Sequence, residues 1–412
     1  MDRSGGVLRT RLVVPPPRPH ALPRTGLVDR LRAQHPTRPV HPRSPPVPPP
    51  TSGDRNGAHV VLPPSAEGRS GAGTNRPYPS RMLRKVPRPT FGALAGRRSR
   101  AQARRIAPVA LARLGGAVAA GWQLGEPFDG RGDTNVFAVR ADGGSPALLK
   151  ASGSTQGRLQ LERQVRVLAA LHDDPRLGEW ARLVPRTLGV GDVEGVAFVL
   201  ESRLPGADSR RLPEADRARV IPMALETIAE LHSRTRSVGV VDAPTHDRWV
   251  REPAAHVREV VRGTHRAALD VVQARLVAEL SGRAVARAWT HGDYNQTNVL
   301  LDGGRVSGVV DWTEAEPDGL VGADAVTLLL FERILAGTEL GPVLLEWLAD
   351  PSPVAGPAVQ MQRAGAGDEV DIRTMLLLTW LRHVGGNLAH STRYAANPVW
   401  MHRNVRTVLA GL

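Results

Sequence analysis

The segment from Thr290 to Trp312, THGDYNQTNVLLDGGRVSGVVDW, constrains this chain more tightly than any other stretch. Two apolar runs, VLL and VSGVV, flank Asp302-Gly303-Gly304, which is the signature of a β-hairpin. Asn298 stands just before the first run and Asp311 just after the second, so the hairpin folds these two residues back toward each other. Paired strands lie about 4.8 Å apart. At neighbouring strand ends an Asn amide oxygen and an Asp carboxylate can therefore share one ion, and oxygen-only ligation suits magnesium. Asp293, on the loop that enters the hairpin, is free to orient an attacking hydroxyl and accept its proton.

The sequence around this segment divides into two textures. GWQLGEPFDGRGDTNVFAVRADGGSPALLKAS, from Gly121, reads as three short strands separated by the Gly-containing turns DGRGD and ADGG, which implies an antiparallel sheet. RLQLERQVRVLAALH then places Leu161, Val165, Leu168 and Leu171 at helical spacing, and VAFVLESRL returns to strand-like alternation. After LPG at 204–206 the chain is mostly helical, with stripes such as Ile221, Leu225, Ile228 and Leu377, Leu381, Val384, Leu388. The expected class is α+β: a bilobal arrangement with a small antiparallel-sheet N-lobe over 106–203 and a larger, mostly helical C-lobe over 204–412.

Ahead of both lies a different kind of sequence. Residues 1–105 hold 19 of the 35 prolines, 21 of the 54 Lys and Arg but only 4 of the 40 Asp and Glu, a net of +17, whereas the other 307 residues carry 33 against 36, a net of −3. Such a segment cannot bury enough apolar surface to offset its ordering entropy, so it reads as a disordered Pro/Arg-rich tail. The basic balance therefore belongs to the tail, and nucleic-acid binding is expected only non-specifically through it. The first thirty residues lack the apolar stretch of a secretory signal, and IAPVALARLGGAVAA, which reads as an amphipathic helix leading into the domain, is too short to span a bilayer, so a cytoplasmic location without membrane attachment is expected. With no cysteine in 412 residues, thiolate metal sites and cysteine nucleophiles are excluded and any metal is a hard, oxygen-bound ion. Oligomeric state leaves no mark in the sequence.

Lysine usage points to chemistry independently. Only Lys85 and Lys150 occur, against 52 arginines, and Lys150 closes the strand-like run PALL. A compact ammonium serves as a point charge on phosphate where a guanidinium is too wide. Glu162 is the one acidic residue between Asp142 and Asp173, so it is the expected local partner.

The spacing of His291-Gly292-Asp293, Asn298 and Asp311 resembles the aminoglycoside phosphotransferase and choline kinase superfamily of kinase-like fold, whose catalytic loop reads HGDxxxxN. The resemblance covers roughly residues 121–335. It implies an ATP- and magnesium-dependent phosphotransferase acting on a hydroxyl of a small molecule, with Asp293 as base, Asn298 and Asp311 holding magnesium and His291 supporting the loop. It further implies a Lys150–Glu162 pair, adenine met by backbone groups of Glu201 and Arg203 in FVLESRLPG, and phosphate contacts from Thr134 and Asn135, in a loop that lacks GxGxxG. Asp324 in GADAVTLLL matches an aspartate that hydrogen-bonds the catalytic loop, and His232 in AELHSRT is expected to pack on its helix. A catalytically silent scaffold of this fold is the alternative.

The acceptor is less defined. From Asp311 to Asp371 twelve acids face only Arg333 and Arg363, and Glu314, Glu316 and Asp318 follow the metal aspartate closely enough to line the acceptor side. This places cationic acceptors such as aminoglycosides ahead of sugars and other amino alcohols. From Ile372 onward the balance reverses, with five Arg, three His and no acid, and Trp380 and Trp400 offer stacking faces. The chain after VVDW runs straight into helix-like sequence, EAEPDGLVGADAVTLLLFERIL, without a long activation loop or Ala-Pro-Glu anchor, so a peptide acceptor has no platform.

Overall fold

The computed structural model describes residues 91–115, 122–128, 134–140, 146–212 and 214–412. The expected tail over 1–90 and the two turns DGRGD and ADGG lie outside the described residues. From Phe91, however, the chain forms a helix, α1 (Phe91–Gly115), so the expectation of disorder up to residue 105 is corrected there. Ala103, Ile106, Ala107, Ala110, Leu111 and Leu114 recur at 3.6-residue spacing and are all buried. The arginine-rich composition hides this stripe, because small alanines supply half of it.

α1 lies against the back of a five-stranded antiparallel sheet. Its strands are β1 (Gln123–Phe128), β2 (Asn135–Arg140), β3 (Ala147–Ser152), β4 (Thr187–Val193) and β5 (Val196–Ser202), in the order β1-β2-β3-β5-β4. Successive strand side chains point to opposite faces. Phe137, Val139, Ala147, Leu149, Ala151, Phe198 and Leu200 therefore form one core with α1, while Val136, Ala138, Leu148, Lys150 and Glu201 face the other way and line a cleft. Helix α2 (Thr155–Asp173) starts at Ser154, whose hydroxyl accepts from the Gly157 N–H.

Beyond β5 the chain is mostly helical, as expected. α3 (Glu214–Thr235), α4 (Glu252–Val260), α5 (Gly263–Leu280), α6 (Ala323–Leu335), α7 (Leu340–Ala349), α8 (Ser352–Arg363) and α9 (Ile372–His390) surround a three-stranded sheet of order β10-β7-β6, made of β6 (Ser237–Val240), β7 (Ala284–Thr290) and β10 (Glu316–Leu320). α9 is buried along most of its length. Trp380 is one of its fully buried side chains, its indole N–H donating to the Asn404 carbonyl at 2.8 Å, so it is a core residue and not the stacking face expected of it.

The hairpin is β8 (Val299–Asp302) and β9 (Arg305–Val309), with Val299 opposite Val309. The segment that leaves β5 is clipped to it: Ala207 and Leu301 exchange both backbone hydrogen bonds at 3.0 Å. Gly206 makes this approach possible. Its φ of +94° suits glycine, and a Cβ there would lie 2.5 Å from the Leu301 carbonyl oxygen.

Cutting the buried stripe of α1 should destabilise the N-lobe. Ile106→Ala is expected to lower unfolding free energy by about 2–4 kcal/mol in a denaturant melt, and removal of residues 1–105 should cost more stability than removal of 1–90. A loss below about 0.5 kcal/mol for Ile106→Ala would show that α1 does not cover the sheet in solution.

Candidate active site

β7 is buried through Thr290 and delivers the loop His291–Asp293 to the edge of the cleft. Gly292 turns the chain with φ +78°, and a Cβ there would come within 2.4 Å of the Glu314 carbonyl oxygen, so only glycine fits. The loop is held by one carboxylate. Asp324, in the first turn of α6 and fully buried, accepts from the His291 N–H at 2.8 Å and from the Gly292 N–H at 2.9 Å. His232 of α3, expected only to pack, reaches the same carboxylate with Nε2 at 3.2 Å. Burial works against an ionised Asp324, but the hydrogen bond and charge of His232, with the hydrogen bond from the His291 backbone N–H, hold its pKa below the ordinary carboxylate value.

His291 joins this loop to the hairpin. Its Nε2 sits 2.9 Å from the Val310 carbonyl, an acceptor only, so Nε2 carries the proton; Nδ1 is then the acceptor for the Asp293 N–H at 3.3 Å. Burial lowers the pKa of His291, consistent with this neutral tautomer. The ring packs 4.6 Å from Trp312 and 5.7 Å from Tyr294, whose hydroxyl donates to Ala224 in α3.

Asp293 is half-buried. Asn298 donates through Nδ2 to its carbonyl at 2.9 Å and to its carboxylate at 3.3 Å, and Asn295 donates to the same carbonyl at 3.1 Å. Burial, then the charges of Asp311 and Glu314, pushes its carboxyl up to about 7. A carboxylate of that basicity is matched to accepting a proton near neutral pH.

Asn298 and Asp311 stand at the two ends of the hairpin, and the Val310 N–H bonds the Asn298 carbonyl at 2.9 Å. Asp311 takes left-handed backbone angles, φ 68° and ψ 60°, which are uncommon outside glycine, asparagine and aspartate. Its exposed carboxylate accepts one hydrogen bond among the described residues, from Thr313 at 3.4 Å. With the Asn298 amide nitrogen turned to Asp293, the amide oxygen is left for a hard cation, and the donor pair fits magnesium. Among the described residues no group of three or more His, Asp and Glu could enclose a metal. An ion here would complete its shell with water and with oxygens of a ligand.

Lys150 lies across the cleft from this pair, but its partner differs from expectation. Glu162 is on the exposed face of α2. The ion pair is Lys150 Nζ to Glu201 Oε2, 3.1 Å, with Glu201 1% exposed. Leu148 is opposite Glu201 and Lys150 opposite Val199 in the register, so Lys150 and Glu201 are diagonal neighbours on one face of the sheet. A sequence window around Lys150 cannot reveal a partner 51 residues away. Gln164 of α2, which is not among the residues expected at the site, donates to the other Glu201 oxygen at 2.8 Å. It could have been noticed as the polar residue inside the stripe Leu161, Leu168 and Leu171.

The cleft has a volume of about 1050 Å³, with Leu124, Val136, Ala138 and Leu148 on one side and Leu204, Leu300 and Val310 on the other, and Lys150, Glu201, Asn298, Asp311 and Thr313 at its polar end. Thr134 and Arg203 line it; Asn135 opens β2 opposite Ala151 and is not part of the lining. The Arg203 N–H donates to the Pro146 carbonyl at 3.0 Å, so it is not free to meet a base as expected.

The acids after Asp311 are also arranged differently from the sequence reading. They do not run directly into a helix: a single 3₁₀ turn, Trp312–Glu314, is followed by β10. Glu316 pairs with Arg382 of α9 at 2.8 Å, Asp318 with Arg248 at 2.6 Å and with Arg287 at 3.6 Å, and Glu314 with His390 at 3.1 Å. Glu316 and Asp318 thus spend their charge on arginines of this chain, which removes the reason to place cationic acceptors first.

Comparison with known proteins shows the family. A sequence model of the phosphotransferase enzyme family, APH, matches residues 125–357. No curated protein matches. Similar solved structures include aminoglycoside phosphotransferase APH(4)-Ia, with 17% identity and a TM-score of 0.49 over 75% of this chain and 99% of that one. Macrolide 2'-phosphotransferase MphH from Brachybacterium faecium has 16% identity and a TM-score of 0.42, covering 74% and 98%. Aminoglycoside phosphotransferase APH(3'')-Id from Streptomyces rimosus has 19% identity and a TM-score of 0.41, covering 68% and 98%.

The raised pKa of Asp293 makes a stability prediction. The folded state holds this proton more tightly than the unfolded chain, so stability present below the unfolded carboxylate pKa is lost as pH rises toward 7. Asp293→Asn should therefore be more stable than wild type at pH 8, by of the order of 1–3 kcal/mol after solvent screening, with the gap closing below about pH 4. Melting curves separated by a constant amount at every pH would contradict the assignment.

Proposed function

Because the chain belongs to the phosphotransferase enzyme family, we propose that it transfers the γ-phosphoryl group of ATP, in the presence of magnesium, to an alcohol group of a small molecule. One observation carries the reading: a carboxylate of raised basicity, Asp293, is hydrogen-bonded by Asn298, the residue that opens the hairpin ending at Asp311.

In this account Asp293 orients the acceptor hydroxyl and takes its proton, the acceptor oxygen forms a bond to the γ-phosphorus, and the bond from that phosphorus to the bridging oxygen breaks to leave ADP. Lys150 holds phosphate oxygens with its charge fixed by Glu201. Asn298 and Asp311 would hold magnesium, which when bound neutralises developing charge on the phosphates. The apolar walls of the cleft receive the base and His291 keeps the loop in register with the hairpin. Thr134 is a candidate phosphate contact.

A small acceptor is supported by the chain between Asp311 and α6, which holds only one 3₁₀ turn and β10 and leaves no docking platform for a peptide. Glu314, which acts on Asp293, remains on the acceptor side, whereas Glu316 and Asp318 are committed to arginines. Among the described residues no helix is long and apolar enough to cross a membrane.

The test is ATP consumption with magnesium against aminoglycosides, macrolides, sugars, amino alcohols and a generic protein. A hydroxylated small compound should score and the protein should not. With that compound, Asp293→Asn and Asp311→Ala should each lower turnover by about 10²–10⁴-fold, and Lys150→Arg should weaken ATP use by roughly tenfold or more because the wider guanidinium fits Glu201 and phosphate differently. Near wild-type turnover of Asp293→Asn or Asp311→Ala would refute the site assignment, and transfer to protein serine or threonine alone would refute the acceptor.

A further inference from the structure

A continuous chain of polar contacts crosses the cleft from Lys150 to Asp311. Lys150 Nζ lies 3.1 Å from Glu201 Oε2, and Gln164 Nε2 donates to Glu201 Oε1 at 2.8 Å. Thr313 Oγ1 lies 3.3 Å from Gln164 Oε1 and 3.4 Å from Asp311 Oδ1. Lys150 and Glu201 sit on neighbouring strands, so the sheet sets the spacing of their backbones. It does not set the rotation of the Glu201 carboxylate. That is fixed by Gln164, which is 3% exposed.

The chemistry of each member is specific. Glutamine can serve here because it donates through Nε2 and accepts through Oε1 at once. A glutamate at the same place would set a second negative charge against Glu201, and an apolar residue would leave one Glu201 oxygen without its donor. Mere packing does not explain a polar side chain in the apolar stripe of α2, since an aliphatic residue would fill it without desolvating an amide. Thr313 has one hydroxyl proton and two acceptors in reach, Gln164 and Asp311. When the Asp311 oxygens are given to a cation, that proton is left to Gln164.

We propose that Gln164 and Thr313 are positioning residues that couple Lys150, through Glu201, to the magnesium-binding Asp311, so that a cation bound on one side of the cleft fixes the lysine on the other. The inference rests on the phosphotransferase reading above and adds to it a linkage between metal and lysine.

The experiment uses full-length wild type, Gln164→Met, Thr313→Val and the double variant, each titrated by calorimetry with a non-hydrolysable ATP analogue with and without magnesium chloride. Both substitutions nearly conserve volume, and thermal melts of the four proteins report their folding separately. Without magnesium the four should bind within about twofold of one another. With magnesium each single variant should lose about tenfold in affinity relative to wild type, and the double variant should lose no more than the weaker single one, because both break one chain of contacts. Additive losses, equal losses with and without magnesium, or lowered melting temperatures with unchanged magnesium dependence would overturn the coupling. Wild type that binds no magnesium nucleotide would overturn the phosphotransferase reading and this inference with it; wild type that binds it while the variants match it would overturn the inference alone.

Discussion

The site depends on one buried carboxylate. Asp324 takes the backbone N–H groups of His291 and Gly292 on its two oxygens and the imidazole of His232 on one of them. A buried carboxylate without such partners would be costly. With them it stays ionised and pins the loop to the first turn of α6, where the helix dipole also favours negative charge. His291 passes the constraint on: one ring nitrogen holds the Val310 carbonyl at the end of the hairpin, the other receives the Asp293 N–H. The loop that carries Asp293 and the hairpin that carries Asn298 and Asp311 are therefore one rigid unit, with Trp312 and Tyr294 packed around the ring.

Around that unit the structure accepts unfavourable arrangements. Asp311 is left-handed, and its charge, with that of Glu314, adds to burial in raising the pKa of Asp293. The same charge of Asp311 adds to burial in raising Glu201, which Lys150 opposes. Carboxylates held near each other without equal compensation are a feature of sites that bind cations or move protons. The next acids along the chain are neutralised instead, Glu316 by Arg382 and Asp318 by Arg248.

Much of the fold was legible because its determinants are local. The Asp302-Gly303-Gly304 turn between two apolar runs announces the hairpin, and the alternation in NVFAV and VAFVL announces strands of the small sheet. What depends on distant pairing was not. Glu201 reaches Lys150 only because β5 lies beside β3, so the nearer Glu162 drew the expectation although it faces solvent. The arginines that occupy Glu316 and Asp318 come from residues 248, 287 and 382, so a count of acids along the chain overstated the free negative charge. The part of α1 from Ile106 was legible as an amphipathic helix, but its start at Phe91 escaped because its buried stripe is half alanine and its composition continues that of the tail.

The central claim is that these groups together move a phosphoryl group from ATP to an alcohol oxygen. Phosphorus NMR of the protein with ATP, magnesium and an acceptor shows the fate of the γ-phosphorus directly. The account predicts that the γ resonance of ATP declines as ADP and a phosphate monoester resonance grow together in equal amounts. Growth of ADP with inorganic phosphate alone, whatever hydroxyl compound is present, would contradict it.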